Sequence, residues 1–297
     1  IRQTRCPCRI SAGMIADMAQ LHPHPVTGDL FESPVLPGSG WPGDLATTRT
    51  LVAKSSAEVL ELAQVETRDE LDARISVCRA CPRLVEWREE VALSKRASFA
   101  EQPYWGRPVP GWGAAQPKIV VLGLAPAANG ANRTGRMFTG DSSGDWLYAS
   151  LHRCDLASRA TAQSAGDGQS LIDTAIIASV KCAPPDNKPT ITERDSCAPW
   201  LQRELDFLLP STQVMVALGA FGWAAGLRAL GKAGFELPRP KPKFGHGREV
   251  EFDDLFLLGS YHPSQHNTFT GRLTPEMMDE IFNRAKELAG LTASRDA

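Results

Sequence analysis

No stretch of this 297-residue chain comes near the roughly 18 consecutive apolar residues of a membrane-spanning helix, so no such span is expected. An excess of charge of either sign is lacking too: 32 Lys and Arg stand against 34 Asp and Glu, a formal net charge of −2. That excludes a wholesale basic nucleic-acid binder but leaves room for a local basic stripe. The first thirteen residues, IRQTRCPCRISAG, contain no apolar core of a secretory signal. They precede Met14, which reads as a native start. Seven cysteines without such a signal point to the reducing cytoplasm, where a Cys-x2-Cys pair is expected to bind metal rather than to form a disulfide. There is no internal repeat. Neither G-x-x-x-x-G-K-[ST] nor G-x-G-x-x-G occurs where a phosphate loop would need it.

What is present suffices for an ordinary core, with 42% hydrophobic and 22% charged residues. The front of the chain is rich in Pro, Gly, Ser and Thr, and residues 1–65 read as an N-terminal extension, partly extended or disordered. Residues 66–297 read as one domain. Within it four short apolar runs recur: KIVVLGLAP (118–126), TAIIASVKC (174–182), QVMVALGA (213–220) and LFLLGSYHP (255–263). Each is too short for a buried helix and ends in or near Gly or Pro, except the second. Apolar on both faces, they predict the strands of a parallel sheet covered by helices. Helices are expected near 143–153, 192–209, 220–230 and 274–290; Thr274 caps the last and Pro275 opens it. The fold class is therefore an α/β three-layer sandwich with a central four-stranded parallel sheet. Ligands in such sheets bind at the carboxyl ends of the strands.

Polar segments stand at three of those ends. GLAPAANGANRTGRMFTGD (123–141) follows the first strand and holds Phe138, a flat ring suited to stacking, and Asp141, a helix cap or a working acid. Arg133 and Arg136 are of the type that meets DNA phosphates, or else sit on a solvated loop. CAPPDNKPT (182–190) presents Asn187, able to donate and accept at a base edge or simply a turn residue. His262, in SYHPS, precedes a polar loop from Gln265 through Asn267 to Arg272 that suits a DNA groove. Cys78 and Cys81 form a Cys-x2-Cys pair, and Cys182 and Cys197 are separated by fourteen residues. Buried thiols, tetrahedral zinc and an iron–sulfur cluster all fit this set, and spacing does not separate them. Cys154 reads as core; Cys6 and Cys8 are assigned nothing.

Taken together with CRACPRLVEWREE and YWGRPVPGWG ahead of them, these segments resemble a family 5 (B-type) uracil-DNA glycosylase over roughly residues 72–291. Five motifs occur in order, and Leu124 stands where family 4 typically carries Glu. The resemblance implies the uracil-DNA glycosylase fold and a [4Fe–4S] cluster on Cys78, Cys81, Cys182 and Cys197. It also implies a monomer acting on double- and single-stranded DNA that contains uracil, hypoxanthine or related bases. In the implied mechanism a flipped base stacks on Phe138. Asn187 and the backbone of Gly123 and Ala125 read its edge. His262 stabilises the departing base anion. Asp141 stabilises the sugar cation and orients water. Arg133, Arg136, Gln265, Asn267 and Arg272 hold the DNA. Only Lys181 and Lys188 lie within the motifs, so hydrolysis to an abasic site is expected, not strand cleavage. The rival readings are a non-enzymatic iron–sulfur DNA-binding or redox module and a zinc-stapled hydrolase of free nucleosides.

Overall fold

The computed structural model describes residues 20–291, so Cys6, Cys8 and Met14 lie outside the described residues. An arm of irregular chain carries the short pair β1 (His22–Pro23) and β2 (Leu30–Phe31), and is followed by α1 (Ser56–Leu62), α2 (Arg68–Ser76) and α3 (Pro82–Ser94). Then come β3 (Trp112–Gly113), β4 (Ile119–Gly123), α4 (Ala131–Thr134), α5 (Ser142–Arg153), β5 (Thr174–Ala178) and α6 (Ile191–Leu208). The chain continues through β6 (Val214–Leu218), α7 (Gly219–Lys232), β7 (Glu249–Phe252), β8 (Leu255–Ser260), α8 (Gln265–Phe269) and α9 (Pro275–Leu288).

The sheet is built on the four expected strands, in the order β5-β4-β6-β8, all parallel. It has six strands rather than four, because β3 and β7 add antiparallel edges. Period-two alternation divides the apolar runs between two faces. Ile119, Val121, Val214 and Val216 pack with α5 and α9 on one side. Val120, Leu122, Met215 and Ala217 pack with α6 and α7 on the other. Every residue of β4, β5 and β6 is buried. Each such aliphatic side chain stabilises the fold by roughly 1.5–3 kcal/mol before strain and entropy are counted. The cap reading of α9 holds, since the Thr274 hydroxyl accepts from the Met277 amide and Pro275 fills the first turn.

Apart from the short β1–β2 pair the arm is irregular up to α1, but from Gln20 on it is packed. Phe31, Val35 and Trp41 are 1–3% exposed and join the cluster beneath α5 and α9. His24 Nε2 meets Ser164 Oγ at 3.1 Å. The Asp44 carboxylate accepts from Arg107 at 2.7 Å, and Arg107 also donates to Ser76 in α2. Packing therefore runs straight across the expected boundary at 65.

The strand order places the crevice. The chain moves from β4 outward to β5, then crosses back to β6 on the other flank of β4. Loops leaving β4 and β6 part there and leave a gap at the carboxyl end of the sheet, where ligands bind in open α/β folds.

Candidate active site

A cavity of about 500 Å³ fills that gap. Leu124 and Ala125 line it from the end of β4, Leu218 to Phe221 from the end of β6, and Tyr261 and His262 from the end of β8. Phe138, Asp141, Asn187, Asn267 and Arg272 also line it. The β6 contribution carries no polar signal in the sequence, so reading strand-end motifs missed Leu218, Phe221 and, farther on, Phe244. At Ala127, Asp141, Ser143, Asn187 and Ser264 the cavity opens into a longer groove of about 860 Å³.

Asp141 is both things the sequence allowed. Its Oδ1 accepts from the Gly144 amide at 2.9 Å, capping α5, and the same carboxyl borders the cavity. Burial raises its pKa above the ordinary carboxylate value; the amides of Gly144 and Ser143 oppose the shift without cancelling it. The other oxygen lies against Gly130, where any Cβ would overlap it, so only glycine fits at 130.

Phe138 holds a backbone φ of 52°, a left-handed conformation unusual for an aromatic residue. The surroundings enforce it: Tyr148 Oη donates to the Met137 carbonyl at 3.0 Å, and Gly144 leaves room for the Phe138 carbonyl where a Cβ would collide. The ring covers Gly123, whose added Cβ would stand 3.0 Å from it. Gly123 thus lies beneath Phe138, where the lack of a side chain admits the ring.

His262 stands 5.9 Å from Phe138, centroid to centroid. Burial pushes its pKa down to about 4, so the imidazole is neutral at physiological pH. Neither ring nitrogen has a hydrogen-bond partner among the described residues, and the residue lines the cavity. Asn267 Nδ2 donates to the His262 carbonyl at 2.8 Å. It thus fixes the histidine segment from inside the loop, a role the groove-contact expectation did not include. Gln265 is exposed along the groove, and Arg272 lies over the Tyr261 ring at 4.6 Å at the cavity wall. Asn187 sits at the shared rim with φ 55°, a conformation asparagine tolerates better than most residues.

The two expected phosphate arginines are buried instead. Arg133 donates to Asn129, Gln102 and the Gly140 carbonyl and lies over Phe99 at 3.9 Å. Arg136 pairs with Asp167 at 2.7 Å and lies over Trp112 at 4.6 Å. Both brace the loop from within. A loop with this many glycines needs internal donors for its carbonyls; Arg133 supplies them to Asn129 and Gly140, while Arg136 donates to the Thr139 hydroxyl.

Away from the cavity, Cys78, Cys81, Cys182 and Cys197 line one small pocket. Burial and the neighbouring thiol charges push Cys81 up to about 12, and burial raises Cys182 and Cys197 as well. Arg88 Nη1 donates to Cys182 Sγ at 2.9 Å. Arg83 ties this region to the Asn187 loop, pairing with Glu193 at 2.7 Å and donating to the Lys188 carbonyl. Among the described residues, no three His, Cys, Asp or Glu side chains have the spacing of a single-ion site. Cys154 is buried against α9, its thiol 3.7 Å from the Asp279 carbonyl.

Residues 110–286 match the uracil DNA glycosylase superfamily. A type-5 uracil-DNA glycosylase from Mycobacterium tuberculosis is 57% identical over 270 residues, 90% of this chain and 99% of its own length. The type-5 enzymes of Thermus thermophilus and Pyrobaculum aerophilum are 49% and 41% identical, over 73% and 78% of this chain and 96% and 99% of theirs. A shared fold with a cavity at the carboxyl end of its sheet, and identity of this extent along nearly the whole chain, lead to one conclusion: the chain belongs to the uracil-DNA glycosylase superfamily and, within it, to the type-5 uracil-DNA glycosylases, hydrolases of the N-glycosyl bond.

Proposed function

We propose that this protein removes uracil, and the larger deaminated base hypoxanthine, from DNA by hydrolysis, and that it leaves an abasic site without cutting the strand. One observation carries the reading: Phe138 and Asp141 from the segment after β4, and His262 from the end of β8, share the wall of a single cavity that opens into a groove. The groove favours a polymer over a free nucleoside. The base leaves the stack and enters the cavity beside Phe138, because its sugar carbon is out of reach inside a duplex. As the glycosyl bond breaks, charge grows on the base oxygens, and the neutral His262 ring donates a hydrogen bond to it. The Asp141 carboxylate stabilises the sugar cation and orients the attacking water. Ala125 and Asn187 meet the base edge, while Gln265 and Arg272 meet the strand.

Breadth toward hypoxanthine rests on the size and polarity of the wall. Leu124, Ala125, Leu218, Phe221 and Phe244 give little directional hydrogen bonding, so this part of the wall does not tie the cavity to the polar edge of one base. Among the described residues no lysine lines the cavity, and Lys181 is buried in an ion pair with Glu204, which supports hydrolysis over a Schiff-base route. A uracil- or hypoxanthine-containing oligonucleotide should yield abasic product that breaks only on alkaline treatment. Breakage without alkali, or intact hypoxanthine strands, would refute the corresponding half of the reading.

The thiol pocket supports a [4Fe–4S] cluster held by Cys78, Cys81, Cys182 and Cys197. Four thiols around one pocket give the all-sulfur ligand set that a [4Fe–4S] cluster takes. Bound there, the cluster supplies a covalent staple between the α3 segment and the β5–α6 segment. Replacing any one of the four by Ser should lose iron and soluble protein, whereas Cys154→Ser should lose neither. Iron-free, active wild-type protein would rule the cluster out.

A further inference from the structure

Arg88 occupies a core position of α3, four residues from both Leu84 and Ala92, and is 1% exposed. Its surroundings leave the charge largely unanswered. The nearest carboxylate, Glu89, is 3.8 Å away and already engaged by Arg79. Lys181, beside Cys182 in the chain, is neutralised by Glu204. Arg88 instead aims its two terminal nitrogens at the thiol pocket: Nη1 donates to Cys182 Sγ at 2.9 Å and Nη2 to the Cys78 carbonyl at 3.0 Å. Nε has no partner among the described residues. A guanidinium stays charged at any physiological pH, and burying one without an anion is strongly unfavourable. Four neutral thiols do not answer that charge. Four thiolates do.

We infer that Arg88 is the built-in counter-cation of the centre held by the four cysteines, and that its N–H···S bond to Cys182 raises that centre's reduction potential. This rests on the [4Fe–4S] reading. A cluster with four thiolates carries net negative charge, and each added electron deepens it. A cation in contact with one thiolate therefore favours the reduced form, and a hydrogen bond to the sulfur acts in the same direction. The same residue reaches the active-site loop, because its carbonyl accepts from Asn132 Nδ2 at 3.1 Å and Asn132 lies in α4, just after Gly130. Arg88 is thus a positioning residue with one end on the centre and the other behind Asp141.

The test uses the iron-loaded full-length protein, with the electron supplied by an electrode. In Arg88→Met the oxidised-to-reduced ratio at fixed potential should rise at least tenfold, a shift of about 59 mV to more negative potential for a one-electron couple. Arg88→Lys keeps the charge but loses the forked donor and should fall between the two. Iron-loaded Arg88→Met at the wild-type potential would overturn the inference. The wild type supplies a second measurement should the variants fail to fold. Protein produced in D2O should show a shift in its Fe–S(Cys) stretching bands by resonance Raman spectroscopy, and unmoved bands would overturn the hydrogen bond. Wild-type protein without iron would instead overturn the cluster reading, and this inference with it.

Discussion

Asp141 is held in a place that disfavours its charge. Its pKa is raised by burial, so the folded state binds a proton more readily than the unfolded chain. Protonation therefore stabilises the fold: the contribution is present below the ordinary carboxylate value of about 3.9 and is lost as pH rises through the raised one. Activity runs the other way, because only the carboxylate can stabilise a developing cation. Asp141→Asn keeps an oxygen for the Gly144 amide, so it should melt no lower than wild type at neutral pH. Its excision rate should fall at least about a hundredfold, roughly 2.7 kcal/mol of barrier. Single-turnover excision and thermal melting check the two halves. The wild-type rate should also show an acid limb above the ordinary carboxylate value, and that limb should be missing from the variant. His262, with a pKa near 4, should add no titration between pH 6 and 8. His262→Ala should slow uracil and hypoxanthine excision more than that of 5-fluorouracil, whose anion needs less help. Equal losses on all three bases would assign the ring a positioning role instead.

Among the elements, what could be read in the sequence was what had a period or a cap. The four parallel strands are unbroken apolar runs, and α9 announces itself through Thr274, Pro275 and the stripe Met278, Ile281, Phe282, Ala285. The edges β3 and β7 were illegible for opposite reasons. Trp112–Gly113 is two residues inside a Pro- and Gly-rich stretch, and Glu249–Phe252 carries two glutamates on an edge that faces water. Half of the site showed itself as polar residues at strand ends. The β6 end did not, since Leu218–Phe221 looks like any helix entry. Arg88 left one usable signal, an arginine in the apolar stripe of Leu84 and Ala92. For α8 a specific consequence follows from Asn267. Asn267→Ala should lower kcat/KM about tenfold, near 1.4 kcal/mol, by releasing the His262 carbonyl. Asn267→Asp, the same shape without the donor, should do no better, and wild-type rates in both would show that the bond is dispensable.

The molecule as a whole is closed by its arm. The composition of residues 20–50 is that of a loose extension, and nothing periodic marks Phe31, Val35 and Trp41 as core, yet all three are buried. Trp41 packs 6.0 Å from Trp105 and edge-on to His24 at 4.6 Å. Trp41→Ala should destabilise the protein by roughly 3–5 kcal/mol in urea unfolding, whereas excision at low temperature should persist, because the residue borders neither the cavity nor the groove. The arm is also made first and seated late. His24 waits for Ser164, 140 residues downstream, and at a synthesis rate of about 5–20 residues per second that delay is on the order of ten seconds. Throughout it, a tryptophan, a phenylalanine and a valine destined for the interior hang from the ribosome with nothing to cover them, and the nascent chain is at its most adhesive before its sheet exists.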